Sequence, residues 1–97
     1  MTNIDFLRLE RKSPTEVENY VIDWSDYLAT GETVATSSFT ADSGITIDSS
    51  SIITGNTSTK ARLSGGTLNK LHRVTNTVVT SLPRTLSLSL GISIINK

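Results

Sequence analysis

The stretch Tyr20-Val21-Ile22-Asp23-Trp24-Ser25-Asp26-Tyr27 decides the fold, because it holds three of the chain's five aromatic residues and its only tryptophan. Bulky side chains at positions 20, 22 and 24 alternate with other residues, which is the period-two pattern of a strand with one buried face. We therefore expect Tyr20, Ile22 and Trp24 to anchor a core, with Trp24 packed between two sheets. Tyr27 is expected to be more open to solvent.

Composition places the chain among small all-β proteins. Its 97 residues suffice for one domain, and 29 of them are serine or threonine. Leucine, isoleucine and valine are scattered in ones and twos, without the three-to-four-residue spacing of an amphipathic helix, which favours short strands. The chain has no cysteine, so packing alone must join the sheets.

Turn residues divide the rest of the chain into short segments. Asp, Gly, Asn and Pro recur every 8 to 12 residues or so, the spacing typical of a sandwich. We predict an all-β, immunoglobulin-like β-sandwich of about seven short antiparallel strands over residues 13–97, with residues 1–12 as a first strand or a terminal arm. The predicted strands after the aromatic one cover residues 33–40, 45–47, 52–54, 57–63, 71–81 and 84–95.

Three finer predictions concern local structure. Val34 and Phe39 are both candidate core residues of the strand at 33–40, but at an even and an odd position they would point to opposite faces of a regular strand. We therefore predict a bulge in this strand. The sequence Ser13-Pro14-Thr15-Glu16 resembles a capping box and predicts one helical turn. Residues 48–51, an aspartate and three serines, are predicted to form a loop.

The two long C-terminal strands show the clearest periodicity. In the last strand leucine or isoleucine occupies every second position from 86 to 94, so one face, which includes Leu88, should line the core. In the strand before it, His72, Val74 and Asn76 share a face with Val78. His72 and Asn76 are therefore expected to be structural, and Asn76 needs hydrogen-bond partners because an unpaired buried amide costs about 1–3 kcal/mol.

Charge is divided between the two halves of a formally neutral chain. Residues 1–48 hold nine acidic and three basic residues, a net charge of −6, whereas residues 49–97 hold six basic residues and none acidic, a net charge of +6. Two interpretations stay open: the halves interleave and neutralise each other locally, or the molecule has an acidic and a basic side through which copies attract head to tail.

Residues that could perform chemistry are scarce. His72 is the only histidine, which excludes a two-histidine metal site, and no nucleophile motif accompanies it. The aspartates do not form the Asp-x-Asp ladder of a calcium loop. We therefore predict no catalytic residues, no metal and no cofactor, and expect the chain not to be an enzyme. The basic residues are not interleaved with aromatics, and no apolar run is long enough to span a bilayer, so neither nucleic acid nor membrane is expected as a partner.

Three segments together carry a family resemblance. Residues 12–28, with Lys12, Pro14, Glu16 and the aromatic stretch, resemble the opening signature of a family of small tailed-phage virion proteins, the fiber-tail adaptors. The Leu-Ser-Gly-Gly-Thr turn at 63–67 and the strand at 72–78 are similar to later motifs of that family, with His72 where tyrosine is usual. The similarity spans residues 12–94.

The resemblance implies a non-enzymatic structural protein of the virion, assembled in the host cytoplasm, that links tail fibers to the tail or neck. Its expected partners are other virion proteins of the tail, neck or portal region and the fibers, with several copies arranged symmetrically. A capsid decoration or cement protein is one alternative, and a carbohydrate-binding module using Trp24 or Tyr27 is another. The side chains expected to contact partners are those of Phe6, Leu7, Leu9, Tyr27, Arg62 and Arg73.

Overall fold

A computed structural model describes residues 6–96 as a sandwich of two β-sheets, which confirms the predicted fold class. The one helical element in this range is a 3₁₀ turn at Ser25–Tyr27. Seven strands follow in chain order: β1 (Arg8–Lys12), β2 (Glu18–Asp23), β3 (Val34–Ala41), β4 (Ile45–Ile52), β5 (Ser58–Gly65), β6 (Leu71–Thr80) and β7 (Thr85–Ile94).

The strand order is that of an immunoglobulin-type sandwich. One sheet has the order β1-β7-β6-β3 and the other the order β2-β5-β4, so strands that follow one another in the chain often lie in opposite sheets. All pairs are antiparallel except β1 and β7, which run parallel, with Leu9 opposite Gly91. A parallel pair is possible there because the rest of the domain connects the two strands.

The core lies between the sheets and is built from alternate residues of the strands. On β6 the buried side chains are His72, Val74, Asn76, Val78 and Thr80, as the period-two pattern predicts. Within residues 6–96, twelve hydrophobic residues form the buried cluster: Tyr20, Ile22, Trp24, Val34, Ile45, Ala61, Leu63, Val74, Val78, Leu90, Ile92 and Ile94.

Local predictions had mixed outcomes. The bulge in β3 is confirmed, since the pairing with β6 shifts register between Val34 and Thr36. The loop predicted at 48–51 is wrong: these residues continue β4, and Asp48 is absorbed in a bulge between Ile47 and Ser49. Because β4 is an edge strand, polar residues can continue it with their side chains in solvent.

The predicted helical turn at 13–16 is also wrong. Glu16 N–H donates to the Ser13 carbonyl and the Glu16 carboxylate accepts the Ser13 N–H, as in a capping box. The chain nevertheless makes only a tight turn, because β2 begins at Glu18 and leaves no length for a helix.

Candidate functional site

A hydrogen-bonded cluster in the core ties the two sheets together. Trp24, directly after β2, donates its indole N–H to Asn76 Oδ1 on β6 at 2.9 Å. The same oxygen accepts the Thr59 hydroxyl from β5 at 2.6 Å, and Asn76 Nδ2 donates to Ser37 Oγ and to the Ser38 carbonyl on β3. Every polar atom of the Asn76 side chain is therefore used inside the protein, as buried amides require.

The other residues expected in the core lie as follows. Ile22 and Val74 are fully buried and Tyr20 nearly so, whereas Leu88 is half-buried and packs against the edge of the core. The Tyr20 hydroxyl is buried without a hydrogen-bond partner among the described residues. Burial, together with nearby acidic residues, raises the pKa of Tyr20 to about 12.

His72 joins two loops at one end of the sandwich. Its Nδ1 lies 2.7 Å from Asp42 Oδ1, and its Nε2 accepts the Thr67 N–H at 3.0 Å. Since Nε2 accepts, Nδ1 carries the proton and donates to Asp42. The second Asp42 oxygen accepts the Arg73 N–H. Although burial acts against it, the pKa of Asp42 is lowered by these hydrogen bonds and by the nearby positive charge of Lys70.

Clusters of metal-binding side chains and membrane-spanning helices are both absent from the part of the chain that the structure describes. No group of three or more His, Cys, Asp or Glu side chains within residues 6–96 could hold a metal ion. No helix in this range is long and apolar enough to cross a membrane.

The N-terminal segment lies on the four-stranded sheet. Leu7 donates its N–H to the Ser89 carbonyl and packs against the core, while Leu9 on β1 is 66% exposed. Phe6 and Leu9 both lie over Gly91 of β7: a Cβ atom at Gly91 would stand 2.6 Å from Leu9 Cδ2 and 3.0 Å from Phe6 Cδ2. Because Gly91 has no side chain, Phe6 and Leu9 can pack directly on the backbone at the outer face of the sheet.

These side chains form an open apolar cleft with a cationic rim. The cleft, of about 320 Å³, is lined by Phe6, Arg8, Leu9 and Leu71, and the Arg73 guanidinium lies over the Phe6 ring at 4.6 Å from its centroid. We call these five residues the Phe6 patch. Arg8 is paired with Glu10, so Arg73 supplies the unpaired charge of the patch within the described range.

Arg62 lies elsewhere. It is on β5, at the centre of the other sheet, with its side chain exposed on that sheet's outer face, opposite Asn19 of β2 and Ser49 of β4. Arg62 and Arg73 therefore project from opposite faces of the sandwich and cannot belong to one continuous contact surface.

Tyr27 lies at the end of the sandwich away from the Phe6 patch. It is 45% exposed and meets Trp24 edge to face, with ring centroids 5.9 Å apart. Arg84, just before β7, holds this end in place by donating to the Tyr27 carbonyl at 3.0 Å and to Glu32. Asp23, Asp26 and Leu82 are exposed nearby, and with Tyr27 we call them the Tyr27 end.

Glu32 is a buried carboxylate that the sequence did not reveal as important. It accepts hydrogen bonds from Arg84, from the Thr80 hydroxyl and from the Ala29 N–H. These contacts lower the pKa of Glu32 to about 2.

Lys12 is a second buried charged residue that the sequence did not reveal. Its side chain is fully buried, and its ammonium donates to the Ser13 and Gly65 carbonyls. Burial lowers the pKa of Lys12.

Strand order explains what happens to the divided charge. The acidic half supplies β1 to β4, which lie at the four sheet edges, and the basic half supplies β5 to β7, which lie between them. Ion pairs such as Arg84 with Glu32 join the two halves. The halves thus interleave, and any remaining polarity is confined to particular surfaces.

Comparison with known families identifies the chain. The family described as podophage GP4 fiber-tail adaptor protein gp77 matches residues 12–93. The chain belongs to this family. It is a structural adaptor of a phage particle and a virion component, as the motifs at 12–28, 63–67 and 72–78 led us to expect. No curated protein matches the chain.

The matched range also separates two parts of the candidate surface. Leu71, Arg73 and the whole Tyr27 end lie within residues 12–93, whereas Phe6, Arg8 and Leu9 precede them. The Phe6 patch therefore combines a surface within the family region with a segment outside it.

Proposed function

We propose that this adaptor links tail fibers to the tail or neck of the particle, in several copies arranged symmetrically and assembled in the host cytoplasm. The observation that carries the proposal is the family match over residues 12–93. Exposed apolar side chains support a role in protein contacts, whether with other virion proteins or with further copies of this chain. Leu9, Leu71, Tyr27 and Leu82 are each between 44% and 66% exposed.

The proposed role is non-enzymatic and uses protein surfaces only. The side chains that could have served chemistry are engaged within the fold: His72 binds Asp42 and Thr67, and Glu32 binds Arg84. A sugar-stacking role for Trp24 is disfavoured, because its ring is 1% exposed and its N–H is hydrogen-bonded to Asn76. Lys60 and Arg62 lie on the face opposite to Arg73, an arrangement unlike the continuous basic stripe of a nucleic-acid-binding protein.

A phage carrying a stop codon at Glu16 tests the proposal. Grown on a non-suppressing host, it should yield particles whose tails lack fibers in negative-stain electron micrographs. Growth on a suppressor host that inserts glutamate is the matched control and should restore the fibers. Particles that keep a full set of fibers without the protein would overturn the adaptor role, and loss of head integrity alone would indicate a decoration protein instead.

A further inference from the structure

Two exposed surfaces of this chain have complementary chemistry and lie at opposite ends of the sandwich. Tyr27 is tied through its carbonyl to Arg84, next to the start of β7, whereas Leu71 of the Phe6 patch pairs with Ser93 near the end of β7. At about 3.3 Å per residue, the eight steps from Thr85 to Ser93 span roughly 26 Å. One molecule cannot bring these two surfaces together.

We propose that the Phe6 patch of one copy binds the Tyr27 end of a second copy, which rests on the proposed multicopy arrangement and specifies the contact between neighbours. The two surfaces differ, so the contact is heterologous. A pair joined in this way keeps a free Tyr27 end on one copy and a free Phe6 patch on the other, so further copies can add until a ring closes.

The Phe6 patch offers an apolar cleft beside a positive charge. Leu9 and Leu71 are 66% and 44% exposed, and the cleft between them has room for a ring or a branched side chain. No described carboxylate forms a salt bridge with the Arg73 guanidinium. A partner surface that presents an apolar side chain next to a carboxylate could fill the cleft and form an ion pair with Arg73.

The Tyr27 end presents that combination. Tyr27 and Leu82 are 45% and 57% exposed, and Asp26 precedes Tyr27 in the same 3₁₀ turn. Asp26 makes no salt bridge within residues 6–96, and the hydrogen bonds of Asp23 there are with Ser25 of the same turn. The basic residue at this end, Arg84, is already paired with Glu32, so the exposed carboxylates remain available to a neighbour.

The occupant is identified by this charge complementarity within a single chain. The strands that form the centre of the outer face around the patch, β6 and β7, contain no acidic residue. A second copy provides the required aromatic side chain and carboxylate without any further partner.

The test is a charge exchange measured by sedimentation velocity on the full chain. Wild type is compared with Arg73→Glu, with Asp26→Lys and with the double variant, from about 10 μM to about 1 mM and at about 50 and 500 mM salt. We expect concentration-dependent association of wild type that weakens at high salt. Each single variant should raise the dissociation constant about tenfold or more, and the double variant should restore it to within about threefold of wild type.

Two controls isolate the contact. Arg62→Glu makes the same charge change on the opposite face and should leave association unchanged, while Leu82→Ser removes apolar surface from the Tyr27 end without a charge change and should weaken it. The near-ultraviolet circular dichroism of Trp24 verifies that each variant is folded.

The inference is overturned if wild type stays monomeric throughout, if Arg73→Glu and Arg62→Glu behave alike, or if the double variant does not recover. Any of these results would leave the adaptor role standing, because that role is tested separately by the fibers on the particle.

Discussion

The indole N–H of Trp24 donates to Asn76 Oδ1 at 2.9 Å, joining the end of β2 in one sheet to β6 in the other. In a chain without cysteine this hydrogen bond helps to join the two sheets, a task that a disulfide beside a buried tryptophan performs in antibody domains. Thr59 of β5 donates to the same oxygen, and Asn76 Nδ2 donates to Ser37 and Ser38 of β3. One amide on β6 therefore contacts the end of β2, β5 and β3.

Asn76→Ala should therefore be severely destabilising. It removes the acceptor of both Trp24 and Thr59 and leaves a small cavity, and each buried group left unpaired costs about 1–3 kcal/mol. We expect the free energy of unfolding to fall by about 3 kcal/mol in urea titrations followed by tryptophan fluorescence. Thr75→Ala, one residue away on the outer face, is the control and should cost less than about 1 kcal/mol. Equal effects of the two substitutions would contradict the role given to Asn76.

Trp24 fluorescence should be insensitive to aqueous quenchers. Its side chain is 1% exposed, so iodide should quench the folded protein only weakly and the urea-unfolded protein strongly. Tyr27→Ser, which removes the ring that packs against Trp24, should make quenching measurably stronger while the fold persists. Efficient quenching of the folded wild type would place the indole at the surface and revive the sugar-binding alternative.

Stability should fall in acid through Glu32. Its folded-state pKa is about 2, below its usual value of 4.5, so its stabilising effect is fully present above about pH 4.5 and is lost as the pH drops toward 2. Urea midpoints measured across this window should decline. In Glu32→Gln, which cannot ionise, the midpoint should be lower at pH 7 and its decline in acid shallower. A decline as steep as that of wild type would assign the acid sensitivity to other carboxylates, such as Asp42.

Gly66 should tolerate alanine less well than Gly55. Both have a positive φ, +109° and +101°, but a Cβ at Gly66 would lie 2.8 Å from Ile94 Cγ1, whereas nothing lies within 4 Å of one at Gly55. Backbone strain is thus shared, and crowding against the core affects Gly66 alone. We expect Gly66→Ala to lose about 1–3 kcal/mol more than Gly55→Ala in urea titrations. Equal losses would show that Ile94 moves aside freely.

Sequence periodicity correctly predicted the strands that bury one face and expose the other. The alternation in β6 and β7 located the inward faces, and the aromatic stretch placed Trp24 in the core. Prediction from periodicity failed where a strand has no alternation of apolar and polar residues. The serines after Asp48 resemble a loop but continue β4, an exposed edge strand. Lys12 looks like a surface residue, yet its ammonium finds two carbonyls in the interior.

The candidate surface was predicted only in part. Phe6, Leu9 and Arg73 were each expected to contact partners, but 67 residues separate Phe6 from Arg73 in the chain, and only the β1-β7-β6 strand order brings them together. Arg62 was also expected to contact partners, but the same strand order places it on the opposite face from Arg73. The ion pair between Glu32 and Arg84 could not be predicted, because both residues lie in loops, where no regular spacing in the sequence indicates which side chains meet.

The most direct test of the adaptor role is a cryo-electron microscopy map of the intact particle in which β-sheets are resolved. We predict this seven-stranded sandwich between the tail and the fibers, in several symmetric copies, with contacts to both. Density for the sandwich on the head surface alone, with the fibers joined to the tail by other chains, would contradict the account.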